Sequence, residues 1–142
     1  MPEPDARVLF VCVENSCRSQ MAEGFARAIG GDRVAAHSAG SRPSGVVNER
    51  AVAFMREKGI DLAAQASKGL DGLPAGVTWD AVVTMGCGDA CPALPARLRL
   101  DWELPDPKHL PDDEFRAVRD EIEARVRALL ADRPGAVAKD AR

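Results

Sequence analysis

Residues 7–30, RVLFVCVENSCRSQMAEGFARAIG, decide the fold. Residues 7–13 (RVLFVCV) are β-branched and almost continuously apolar, the pattern of a strand buried on both faces of a parallel sheet. Such a strand belongs at the centre. The polar stretch 14–18 breaks the run, and Ser19 can then cap a helix to Ile29, with Met21, Phe25 and Ala28 or Ile29 on one face and Gly30-Gly31 ending it. The segment reads strand, loop, helix.

Working outward, residues 33–38 (RVAAHS) read as a second strand and 39–46, rich in Gly, Ser and Pro, as a loop. Residues 48–58 place Ala51, Val52 and Met55 at helical spacing, with Gly59 as the stop. Residues 79–85 (WDAVVTM) make a third strand, and 97–102 (RLRLDW) a fourth with Leu98 and Leu100 facing one way. The stretch 86–95 reads as a flexible loop of Gly, Cys, Asp and Pro. From 112 to 132, Phe115, Val118, Ile122, Val126, Leu129 and Leu130 form the apolar stripe of a last helix, which stops before Pro134-Gly135. The expected architecture is a single-domain α/β fold over 1–142: a doubly wound, parallel, four-stranded sheet flanked by helices, with 1–6 and 135–142 as flexible ends. Ligands of such sheets bind at the carboxyl ends of the strands.

Composition excludes several classes of function. Nineteen Lys+Arg against 22 Asp+Glu give a net charge of -3, so there is no basic field to collect nucleic acid or anionic lipid. The longest clean apolar stretch is six residues, 8–13, far short of the roughly 18 that span a bilayer. With a polar amino terminus and no export signal, a cytoplasmic protein is expected. Four Cys in a reducing compartment are more often catalytic or metal-binding than structural.

The chemistry centres on the loop after the first strand. Cys12 is followed by Val13, Glu14, Asn15, Ser16 and Cys17, then by Arg18 and Ser19 where a helix opens. Backbone N–H groups, a guanidinium and a helix N-terminus then surround one point, which should hold a tetrahedral oxyanion. Such a field favours a thiolate at Cys12, with Ser19 as donor to its sulfur. A free Cys ending a strand is often just a small buried hydrophobe, but the strand-loop-helix context with Arg18 and Ser19 favours a nucleophile. Asn15 either holds the loop in a left-handed turn or is a plain turn residue. Cys17 has no separate role. Asp106, in the Pro-bracketed run 104–107, can stand over the anion site as a general acid, although spacing alone leaves a plain turn aspartate open.

The segments VLFVCVENSCRSQMAEGFARAIG, HSAGSRPSGVVNERAVAFMREKGID, DAVVTMGCGDACP and LDWELPDP, in that order, resemble the low-molecular-weight tyrosine phosphatase superfamily, and more closely its arsenate reductase branch. The resemblance implies a nucleophilic Cys12, oxyanion binding by residues 13–18 with Arg18, and Asp106 as the acid. It further implies a relay. Cys12 attacks arsenate, Asp106 assists loss of water, and Cys87 attacks Cys12 to release arsenite. Cys91 then attacks Cys87, and the Cys87–Cys91 disulfide passes to thioredoxin. If that stretch is helical, Cα atoms four residues apart lie about 6 Å from one another, within the roughly 4.4–6.8 Å a disulfide accepts. A monomer with no bound metal or cofactor is expected.

Other readings stay open. Cys87 and Cys91 with His109 are a poor zinc set, since a fourth ligand is missing. The pair is alternatively inert, or a low-molecular-weight thiol such as mycothiol or bacillithiol completes the reaction and bypasses Cys91. A tyrosine phosphatase with the same loop is disfavoured: the chain has no Tyr, its four Phe fall on core faces, and Lys108 follows the Asp-Pro pair where tyrosine-specific members carry aromatics. A redox-sensing oxyanion binder would not need Asp106. Two departures from the family pattern stand out. Glu14 replaces a small residue and is expected to point outward. Where some members hold potassium with residues matching Asn15, Glu23, Ser38 and an Asp, the Asp position is Lys68, whose ammonium is expected to reach Glu23 and Asn15.

Overall fold

Cys12 lies at the carboxyl end of an interior strand, and the rest of the fold follows from how that strand is covered. The computed structural model describes residues 6–85 and 94–131. Strands β1 (Ala6–Cys12), β2 (Val34–Gly40), β3 (Trp79–Thr84) and β4 (Ala96–Asp101) form one parallel sheet in the order β2-β1-β3-β4. The helices are α1 (Arg18–Gly30), α2 (Glu49–Arg56) and α3 (Asp112–Ala131). All of β1 except Arg7 is buried, as its unbroken apolar run requires.

Side chains alternate across the sheet. Ala6, Val8, Phe10 and Cys12 face a large cluster with Met21 and Phe25 of α1 and Phe115, Ile122 and Val126 of α3. Leu9 and Val11 face a thinner cluster with Ala39, Trp79 and Val82. Phe10, Phe25 and Phe115 are each at most 1% exposed, so each contributes roughly 1.5–3 kcal/mol by leaving water. β4 is an edge strand whose Leu98 and Leu100 pack on the large cluster while Arg97 and Arg99 are exposed, matching the expected alternation. Among the described residues no helix is long and apolar enough to cross a membrane.

Several boundaries differ from the sequence reading. Ala6 is not part of a free end; it is buried and paired with Val34. Residues 31–33 form a 3-10 turn, so Arg33 precedes β2, and β2 continues through Ala39 and Gly40 because they pair with Val11 and Cys12. Ser19 does not cap α1. The cap position is Cys17, which offers no side-chain hydrogen bond, and the helix opens at Arg18. α2 is capped by Asn48, whose Oδ1 accepts from the N–H groups of Arg50 at 2.9 Å and Ala51 at 3.3 Å.

Gly40 fixes how closely β2 approaches the loop after β1. A Cβ there would lie 2.5 Å from the Val13 carbonyl oxygen and 2.9 Å from the Asn15 nitrogen, so only glycine allows this packing.

Candidate active site

The loop between β1 and α1 is shaped by what happens to its carbonyl groups. The Val13 oxygen accepts from the Arg42 N–H at 2.8 Å, Glu14 from the Ser44 N–H at 3.0 Å, and Ser16 from the Asn48 N–H at 2.9 Å. The Asn15 oxygen accepts from Gln20 Nε2 at 2.9 Å, and the Cys17 oxygen from the Met21 N–H at 2.9 Å. Five successive carbonyls thus point outward into the protein. In a trans peptide the next N–H points the opposite way, so the N–H groups of residues 14–18 converge on the inside of the loop. The cavity there, of about 250 Å³, is lined by Cys12, Val13, Glu14, Ser16, Cys17, Arg18 and Asp106.

Asn15 is not on that wall. It is fully buried at φ 52°, a left-handed conformation that Asn tolerates better than most residues. Its Oδ1 accepts from the Lys68 N–H at 2.8 Å and its Nδ2 donates to Ser19 Oγ at 2.8 Å. Of the two readings of Asn15 the left-handed turn is the one observed: its side chain braces the loop from behind, and only its backbone N–H is among the inward amides. Ser19 Oγ lies 2.9 Å from Cys12 Sγ. Because Asn15 already donates to this oxygen, the Ser19 hydroxyl proton is free to point at the sulfur. Sequence reading missed Gln20, which is fully buried: it donates to the Asn15 and Ala66 carbonyls and accepts from Gln65. The place of Gln20 one residue after Ser19, in the first turn of the helix, was the available signal.

Arg18 is 8% exposed; its Nη1 donates to the Leu104 carbonyl at 3.1 Å and its Nη2 stands 4.0 Å from Asp106 Oδ2. Asp106, with a half-exposed side chain, caps the turn Pro107–His109 by accepting from the Lys108 N–H at 3.1 Å. Glu14 lines the cavity rather than simply turning away, and its charge is answered: Oε1 is 2.7 Å from the Lys108 ammonium. That hydrogen bond, with the carboxylate's charge, holds Lys108 above its ordinary pKa. Arg50 Nη1 donates to the Lys108 carbonyl at 3.1 Å while its guanidinium lies 4.8 Å from the Phe115 ring centroid. Burial, then the charges of Asp106 and Cys12, push the Cys17 thiol up to about 12, so it stays protonated at neutral pH.

The Lys68 expectation fails. Glu23 receives Ser38 Oγ at 2.5 Å and Arg27 Nη2 at 2.6 Å, and Lys68 meets Asn15 through its backbone N–H instead of its ammonium. Arg27, four residues after Glu23, lies on the same helix face, a spacing visible in the sequence. Cys87 and Cys91 lie outside the described residues. Among those described, no group of three or more His, Cys, Asp or Glu is arranged to hold a metal ion.

Residues 7–142 match the family described as low molecular weight phosphotyrosine protein phosphatase. The glutaredoxin arsenate reductase of Synechocystis sp. is 40% identical over 128 residues, covering 88% of this chain and 96% of its own. A solved arsenate reductase in a phosphate-binding state superposes with a TM-score of 0.80 at 38% identity, over 90% of this chain and 98% of that one. The thioredoxin-dependent arsenate reductase of Corynebacterium glutamicum gives a TM-score of 0.74 at 31% identity, over 93% of this chain and 63% of that one. With the sheet order, the inward amides and these likenesses together, the chain belongs to the low-molecular-weight phosphotyrosine protein phosphatase family.

Proposed function

We propose that the protein is an arsenate reductase that acts through a Cys12 thiolate and a cysteine relay in a reducing cytoplasm. The observation that carries this reading is the outward-held carbonyls of residues 13–17, which turn the following amides inward, with Cys12 and Arg18 lining the same small cavity. Arsenate binds there as a tetrahedral oxyanion. Cys12 attacks arsenic, Asp106 gives its proton to the departing oxygen, and water leaves. Cys87 attacks the Cys12 sulfur; the electron pair of the breaking S–As bond stays on arsenic, arsenite departs, and a Cys12–Cys87 disulfide remains. Cys91 exchanges into it, freeing Cys12 and leaving Cys87–Cys91 for an external dithiol.

The missing Tyr and the mouth built from Glu14, Lys108 and Asp106 support an inorganic substrate over a phosphotyrosine ring. Slow hydrolysis of aryl phosphates is expected as a side reaction of the same thiolate. Thioredoxin is the reductant most compatible with a three-thiol relay, and the Corynebacterium relative is named for it. The Synechocystis relative is named for glutaredoxin, which makes that the second reductant to test. NADPH consumption with arsenate, run in parallel with thioredoxin, glutaredoxin plus glutathione, and mycothiol systems, separates these. Turnover with thioredoxin that stops in Cys91→Ser supports the relay; turnover that survives Cys91→Ser contradicts it.

A further inference from the structure

An ion pair that spans two catalytic loops at the mouth of a cavity has a use beyond stability. Glu14 belongs to the anion loop and Lys108 to the turn that follows Asp106, 94 residues later, yet their charged atoms are 2.7 Å apart. Both are partly exposed, with side chains 42% and 34% accessible, and exposed pairs contribute little to folding. The backbone of the same Lys108 is held at both ends. Its N–H donates to Asp106 Oδ1 at 3.1 Å, and its carbonyl accepts from Arg50 of α2 at 3.1 Å. On the other side of Asp106, the Leu104 carbonyl accepts from Arg18. Asp106 is thus suspended between Leu104 and Lys108, each tied to the oxyanion loop or α2.

We infer that Glu14 and Lys108 are positioning residues for the proton transfer from Asp106: their ion pair holds the turn after Asp106 against the anion loop and sets where the carboxyl stands over the cavity. This rests on Asp106 being the general acid. When Cys12 displaces an aryloxide from a phosphate ester, an S–P bond forms as the P–O bond breaks, and the Asp106 proton goes to the leaving oxygen, leaving a carboxylate; water then breaks the S–P bond, releasing phosphate and the thiolate in a step common to all esters. A basic leaving group needs that proton, whereas a good one departs without it.

The test is the leaving-group dependence of hydrolysis, with phenyl phosphate as the demanding ester and p-nitrophenyl phosphate as the undemanding one. Lys108→Met and Glu14→Gln should each lower kcat/KM for phenyl phosphate by about 5-fold and for p-nitrophenyl phosphate by less than about 2-fold, because kcat/KM reports the step that expels the aryloxide. In an Asp106→Asn background, Lys108→Met should add nothing, and the exchanged pair Glu14→Lys with Lys108→Glu should recover most of the loss. Equal losses on both esters, or losses that add to those of Asp106→Asn, overturn the inference and leave Asp106 as the acid. If Asp106→Asn itself shows no leaving-group dependence, or the wild-type chain hydrolyses neither ester, the Asp106 reading falls and takes this one with it.

Discussion

The floor and the mouth of the cavity are built on opposite principles. Asn15, Ser19 and Gln20 in the floor are fully buried, and each is engaged in side-chain hydrogen bonds. At the mouth, Glu14, Lys108 and Asp106 are 34–50% exposed and held by charge and by a turn. Leaving a buried partner unsatisfied costs about 1–3 kcal/mol, whereas an exposed ion pair is worth roughly 0–1 kcal/mol. Substitutions in the floor should therefore cost stability first, and those at the mouth rate alone.

The largest effect comes from removing the Cys12 thiol that the floor supports through Ser19. Cys12→Ser should abolish arsenate reduction and aryl phosphate hydrolysis while shifting the thermal midpoint only slightly, checked by steady-state assays and a melting curve. Arg18→Lys keeps the charge but loses the fork that holds the Leu104 carbonyl and, on the proposed function, the oxyanion; kcat/KM should fall about 10²–10³-fold. Asp106→Asn, at the mouth, should cost about 10²-fold in kcat on demanding substrates with an unchanged midpoint. Asn15→Ala should do the reverse, losing about 2–3 kcal/mol in denaturant unfolding because Lys68 N–H and Ser19 lose a buried partner, with a smaller loss of activity. If Asp106→Asn destabilised the fold as much as Asn15→Ala, the contrast between floor and mouth would fail.

The smallest effect concerns two thiols in one cavity. Alkylation at pH 8 followed by peptide mapping should label Cys12 well before Cys17, whose thiol is raised from 9.0 to about 12. The sign follows from linkage: a thiol with its folded value above its unfolded one favours folding below about pH 9, and that contribution disappears as pH rises toward 12. Equal labelling would remove the distinction.

Much of this was legible in the sequence because hydrophobic patterning reports burial directly. The apolar run read as a strand over 7–13 is the interior strand, observed over Ala6–Cys12 with Val13 already in the loop, and all six apolar positions of α3's stripe are buried. That Cys12, Arg18 and Ser19 come together was legible for a different reason: they sit beside a strand end and a helix start, so local chain geometry places them. Contacts across long sequence separations were not legible. Nothing near Glu14 announces Lys108, and nothing near Asn15 announces that the backbone of residue 68, not its ammonium, would meet it. Ser19 has the right chemistry for a helix cap, but its hydroxyl is taken by Cys12 and Asn15, and the cap falls two residues earlier, at Cys17. The end of β2 escaped notice because Ala39 and Gly40 look like loop residues until their pairing with Val11 and Cys12 is known.

A single turnover without any external reductant is the most direct measurement. Fully reduced protein mixed with excess arsenate should release about one arsenite per chain and lose two thiols, with the disulfide mapping to Cys87 and Cys91 and nothing released by Cys12→Ser. No arsenite above the protein-free control, or equal arsenite from Cys12→Ser, would contradict the assignment of this loop as an arsenate-reducing site.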